Sequence, residues 1–300
     1  MNNTNKGLLL VFSTAIISGF SVFINKFGAA TNNPAIFAFA KNTVVAILFT
    51  AIILLLKNRK SLFELTKKQW LQLIIIGLVG GSIPFLLFFK GLALTSAAQG
   101  AFIHKTMFIF VAVLAAFTLK EKINKNFLMG GLLLLLGNLM LLKSFNFSFS
   151  LGDGLIFLAV LFWTAENVLA KYVLRDLPGN IVAWGRMFFG AIFILGYLVF
   201  IGQSSQILSL DLAQIKWIIL TAILLFGYTI TWYNGLKYVP VSVATTILLF
   251  GLPITTILTL VSTGKINPQN IFSGFLILTG LIIILGIKIF GSKTTKSLNH

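Results

Sequence analysis

Lys41, Lys105, Glu166 and Arg186 each stand well inside long apolar runs, where lipid rather than water is expected around the chain. A charge in the hydrocarbon region of a bilayer costs about 2.5–3.5 kcal/mol on insertion scales, so such a residue is kept where it faces a protein interior or a water-filled path. Lys41, Lys105 and Arg186 against the single carboxylate of Glu166 give a cationic lining, which attracts a carboxylate, a phosphate or another anionic solute. Lys41 lies about seven residues, or about 10 Å, into its run, too deep to be explained by a side chain stretching to the headgroups. Lys26, Lys90 and Lys171 lie near run ends, where that stretching explains them.

Spacing adds polar partners to these charges. Trp163, Glu166, Asn167 and Lys171 recur at i, i+3, i+4 and i+8, along one face of a helix. Glu166 has two open roles on that face: counter-ion of Arg186 or Lys41, and carrier of a coupled proton. His104 and Lys105 are adjacent, so their side chains diverge by about 100° and only one can point squarely into a cavity. Lys105 is read as the solute contact, with an uncharged Lys105 as the competing account, and His104 as an interhelical residue ahead of a proton carrier. Tyr228, Thr231, Trp232 and Asn234 cluster beside Gly235. Tyr228 is the deepest of these, whereas Trp232 and Tyr233 are read equally as aromatic anchors at a membrane interface. The candidate solute-binding residues are therefore Lys41, Lys105, Trp163, Glu166, Asn167, Arg186, Tyr228 and Trp232.

Helices crossing a bilayer must hold these residues. Of 300 residues, 58% are hydrophobic and 10% charged, and the mean hydropathy is +1.00. A soluble chain carries about 25% charged residues, so lipid takes the place of water around this one. Runs of the length that crosses about 30 Å of hydrocarbon at 1.5 Å per residue fall at 7–28, 34–56, 70–91, 95–118 and 127–142, then at 153–174, 180–201, 216–236, 241–263 and 270–290. The first run is too long for the apolar core of a signal peptide and is read as a retained helix. Barrel strands would instead show segments of about ten residues with alternating polarity.

The net charge of +17 would suggest nucleic acid in a soluble protein, but its placement excludes that partner. Basic residues gather at the two tails and in the even-numbered connections, including Lys57, Arg59, Lys60, Lys67, Lys68, Lys120, Lys122, Lys125, Arg175 and Lys237. The opposite side has only Lys90, Lys143, Lys216 and Lys265. The positive-inside bias then puts both termini in the cytoplasm of a protein that spans the cytoplasmic membrane many times. There is no cysteine, which removes disulfides, thiolate metal sites and catalytic thiols. No Gly-rich phosphate loop and no carboxylate cluster for Mg2+ is present, so neither cofactor nor metal is expected and any transport is secondary. A multi-span membrane enzyme and a non-transporting receptor or scaffold are the alternatives. The sequence leaves open the solute, the direction, the coupling ion and whether the unit is a homodimer.

The chain repeats across its midpoint. A shift of 145 residues carries Lys26 onto Lys171 and Lys41 onto Arg186, and nearly the same shift carries Trp70 onto Trp217 and Gly91 onto Gly235. Gly131 and Gly137 answer Gly274 and Gly280. Five spans per half is an odd number, so the halves, 1–148 and 149–300, are expected in opposite orientations, as in many transporters built from inverted repeats. These pairs resemble the drug/metabolite transporter superfamily, specifically its EamA-type ten-helix members, over nearly the whole chain. The resemblance is carried by Lys41 and Arg186 in the second and seventh spans, Thr95-Ser96-Ala97-Ala98 and Val241-Ser242-Val243-Ala244 opening the fourth and ninth, Pro253, and Phe117-Thr118-Leu119-Lys120-Glu121. It implies an all-α integral membrane fold and a secondary transporter of amino acids or related metabolites. Phe108 where the second half has Pro253, the lack of a partner for Glu121 near Lys265, and His104-Lys105 depart from the family pattern. Gly19, Gly28, Gly80, Gly81, Pro84, Gly235, Gly251 and Pro253 are the expected places of local bending.

Overall fold

The computed structural model describes residues 2–30, 33–55, 62–95, 97–123, 125–140, 150–263 and 268–291. Lys57, Arg59, Lys60, Lys143, Lys265, Lys293, Lys296 and the side chains of Lys26 and Lys288 lie outside that description.

Lipid offers backbone amides no partners, so each spanning segment must satisfy its own hydrogen bonds, and helices do this. All regular structure among the described residues is helical. The first half contributes α1 (Asn3–Ala30), α2 (Pro34–Leu55), α3 (Lys67–Gly81), α4 (Ile83–Leu94), α5 (Ala97–Lys105), α6 (Met107–Thr118) and α7 (Lys125–Met140). The second contributes α8 (Leu151–Val173), α9 (Gly179–Phe200), α10 (Leu212–Leu236), α11 (Val241–Ile247), α12 (Gly251–Thr263) and α13 (Pro268–Gly291). Among the described residues, Asn3–Asn25, Pro34–Leu55, Lys67–Gly91, Leu151–Val173, Gly179–Phe200 and Leu212–Leu236 are long and apolar enough to cross a membrane. The apolar stretches Phe102–Thr118, Lys125–Gly137, Val241–Thr255 and Ile271–Ile284 are shorter.

Three runs that read as continuous spans are interrupted. The run 70–91 breaks at Ser82 into α3 and α4, because Pro84 at the start of α4 has no N–H for the helix ladder. The run 95–118 breaks at Thr106, whose N–H is shared between the carbonyls of Phe102 at 3.2 Å and Ile103 at 3.1 Å. The run 241–263 passes through a 3-10 turn at Leu248–Phe250, just before Pro253. The expected bends at Gly81, Pro84 and Pro253 therefore coincide with breaks.

The internal repeat is visible in contacts. α3 and α10 start on the same capping box, Thr66 with Gln69 and Asp211 with Gln214, and both pairs are related by the shift of 145 residues. Where α4 crosses α8, a Cβ on Gly91 would stand 2.8 Å from Gly152 O, and where α10 crosses α1, a Cβ on Gly235 would stand 3.0 Å from Gly7 O. Gly7 and Gly152 are again 145 residues apart. α7 packs chiefly on α13. There a Cβ on Gly280 would stand 2.6 Å from Gly130 O, and in the mirrored contact Ser273 Oγ donates to Gly137 O at 2.5 Å. Each crossing thus occurs twice with the halves exchanged, and α8 and α9 carry many of the buried residues between them.

Candidate solute site

Because Pro84 lacks an N–H, the carbonyl four residues earlier, on Gly80, has no partner within its own helix. Two side chains from the second half take it: Trp163 Nε1 donates to Gly80 O at 3.2 Å, and Arg186 Nη2 does so at 3.2 Å. The neighbouring Gly81 O accepts from Asn42 Nδ2 at 2.8 Å. The broken third span is therefore tied to α8, α9 and α2 through carbonyls that its own break makes available.

Glu166 completes the group. Its side chain lies against Gly80, where a Cβ would collide with Glu166 Cγ, and its Oε1 accepts the Tyr233 hydroxyl proton at 2.5 Å. Arg186 lies near Glu166, Tyr228 and Tyr233, yet no ion pair joins Arg186 to Glu166 among the described residues. Among the described residues, Arg186 Nε is buried with no hydrogen-bond partner, as is Thr164 Oγ1. Phe85 lies beneath the guanidinium, with the ring centroid 5.9 Å from Cζ.

Beside the charges stands an aromatic wall. Trp163 is ringed by His104 at 5.1 Å, Phe88 at 5.4 Å and Phe85 at 5.5 Å between centroids. Asn167 Nδ2 donates to Trp163 O at 2.8 Å, within its own helix. On α10, Tyr228 and Trp232 stack at 6.3 Å.

The structure thus gathers Trp163, Glu166, Arg186 and Tyr228 around Gly80, with Asn167 bonded to Trp163 and Trp232 stacked on Tyr228. Lys41 follows a separate path: it is 8% exposed, donates from Nζ to Asn25 Oδ1 at 2.8 Å and lies 4.8 Å from the Phe37 ring centroid. Lys105 ends α5 half-buried, and among the described residues its side chain makes no hydrogen bond. His104 takes the interhelical place expected of it. Trp232 and Tyr233, read equally as interfacial anchors, are 1% and 0% exposed and are core residues instead. Lys171 does not stretch to headgroups: its Nζ donates to the carbonyls of Leu236 at 2.6 Å, Lys237 at 3.2 Å and Val239 at 2.7 Å, closing the end of α10. Sequence reading missed Gly80, Tyr233, Phe85, Phe88 and Asn42 as site residues. Pro84 is the available signal for Gly80, since a proline within a continuous helical run strips a partner from the carbonyl four residues back.

Comparison with known proteins gives the same picture of the fold. The profile of the EamA-like transporter family matches residues 5–143 and again 150–286. A riboflavin transporter, ImpX, of Fusobacterium nucleatum is 26% identical over 305 residues, covering 95% of this chain and 99% of the relative. An S-adenosylmethionine uptake transporter of Rickettsia bellii is 31% identical over 111 residues, 37% of this chain and 36% of the relative. An uncharacterised transporter of Methanothermobacter thermautotrophicus is 23% identical over 218 residues, 67% of this chain, and the match spans 63% of that relative's length. One solved crystal structure shares the fold with a TM-score of 0.77 at 16% identity, over 94% of this chain and 97% of its own.

Proposed function

Because the chain belongs to the EamA-like transporter family, we propose that it is a secondary transporter that moves a small polar metabolite, amino-acid-like or anionic, across the cytoplasmic membrane. Ten spans in two inverted five-helix repeats, 1–148 and 149–300, rock about the Gly80-centred group, with both termini in the cytoplasm. The repeat contacts support the exchange of the halves. The basic residues of the even-numbered connections support the orientation.

The observation that carries the solute class is Arg186 Nε, a buried donor of a permanent cation with nothing to bond. An unmet hydrogen bond of this kind costs about 1–3 kcal/mol, more for a charged group. A carboxylate or phosphate arriving beside Gly80 would supply the acceptor that Arg186 Nε lacks, and Lys105 offers a further cation. The relatives named for riboflavin and for S-adenosylmethionine support a solute that pairs a polar group with a flat ring, for which the wall around Trp163 supplies stacking partners. The buried hydrogen bond from Tyr233 to Glu166 supports Glu166 as the carrier if transport is proton-coupled.

The test separates transport from chemistry. Purified protein in proteoliposomes without nucleotide should accumulate a radiolabelled solute that is recovered chemically unchanged, and a protonophore should abolish accumulation if Glu166 couples protons. A converted product would favour the membrane-enzyme alternative, and binding without accumulation would favour a receptor.

A further inference from the structure

Two carboxylates fasten opposite ends of the α5–α6 segment to elements of the second half. Before α5, Thr95 Oγ1 donates to Asp153 Oδ1 at 2.7 Å. Asp153 is itself fixed at the start of α8, where Oδ2 accepts from Ser150 N and Ser150 Oγ, both at 2.8 Å. After α6, Lys120 adopts a φ of 60°, an uncommon left-handed conformation for a residue with a Cβ. That turn brings Glu121 back against the start of α11. Its Oε1 accepts from Val241 N at 2.7 Å, and its Oε2 from Ser242 N at 3.1 Å and Ser242 Oγ at 2.5 Å. The connection from α10 to α11 is also held by the three carbonyl bonds of Lys171.

Halves that rock about a central site have to part at one end while the other stays closed. The bonds of Glu121 and of Asp153 both cross between the halves, at opposite ends of one segment, and both are made in this structure. We propose that they are the two gate latches of the transport cycle, released in turn; this rests on the alternating-access reading above. Glu121 accepts three bonds and its neighbouring connection is clamped by an ammonium, and in the orientation given above the Thr95 end faces outward and the Glu121 end inward.

The parent has no cysteine, so single reporters can be placed at Thr245, one turn into α11, and at Ile156, one turn into α8, both buried. Each is labelled with a membrane-impermeant maleimide in proteoliposomes, with insertion and monodispersity checked. Glu121→Gln should raise the labelling rate at Thr245→Cys on the order of tenfold, the equivalent of one lost charge-assisted bond, without raising it at Ile156→Cys. Asp153→Asn should do the reverse. Ser242→Ala, which removes only a hydroxyl, should repeat the Glu121→Gln effect at smaller size, and carries the test if Glu121→Gln does not fold. Rates that stay at parental values, or that rise alike at both reporters, overturn the latches. A parent that shows saturable uptake while its labelling ignores Glu121→Gln and Ser242→Ala overturns the latches alone. A parent with no uptake and no solute-dependent labelling overturns the transport reading on which they rest.

Discussion

Tyr233 donates its phenolic proton to Glu166 Oε1 at 2.5 Å, tying the carboxylate of α8 to the last turn of α10 at a point where the two residues are 0% and 1% exposed. A carboxylate so placed cannot turn to water for a substitute donor. Tyr233→Phe is expected to cost about 1–3 kcal/mol, read as a lower unfolding temperature of the detergent-solubilised protein. In a double-mutant cycle with Glu166→Gln the two losses should fall short of additivity by about 0.5–3 kcal/mol, as for residues in direct contact. Additive losses would mean that the bond contributes nothing of its own.

Gly80 is where α3 meets the charged residues of the second half. A methyl group there has to displace Glu166, so Gly80→Ala is expected to destabilise by the roughly 1–3 kcal/mol of an overpacked interior. Pro84→Ala acts on the same carbonyl from the other side, restoring an N–H that competes with Trp163 and Arg186. It should leave helix content unchanged by circular dichroism while weakening solute affinity, and unchanged affinity would show that the freed carbonyl does not position Arg186.

Lys171 closes α10 by bonding three carbonyls, with its positive charge at the negative end of the helix. Lys171→Met should therefore lower thermal stability in detergent by about 1.5–3 kcal/mol, in the absence of any lipid headgroup. A lysine that merely reached for headgroups would be replaced in detergent without loss.

Much of this was legible in the amino-acid order because a repeat imposes its own bookkeeping. Gly7 with Gly152, and Gly91 with Gly235, align by the shift alone, and in the structure Gly91 meets Gly152 at one crossing as Gly235 meets Gly7 at the other. The capping boxes at Thr66 and Asp211 are equally readable from their residue types and spacing. The partners of Gly80 were not readable: Trp163 and Arg186 follow it by 83 and 106 residues, and nothing local records which far-off donor fills a carbonyl that a proline has freed. Tyr233 misled for a related reason. Its position near the end of a run suggested an interface, but its hydroxyl is taken by Glu166, 67 residues away, a contact that only the packed chain contains. Lys41 is buried, and its bond to Asn25 sets it apart from the charges it was grouped with.

Solute uptake by the parent and by Arg186→Met tests the central claim most directly. Both proteins would be reconstituted at equal inserted amounts and given radiolabelled anionic and zwitterionic amino acids, S-adenosylmethionine and riboflavin. The account predicts saturable uptake of at least one of these by the parent. It also predicts a loss of affinity of about tenfold or more in Arg186→Met, the size of a charge-assisted hydrogen bond to a buried guanidinium. No saturable uptake by the parent, or uptake by folded Arg186→Met with the parent's affinity, would contradict it.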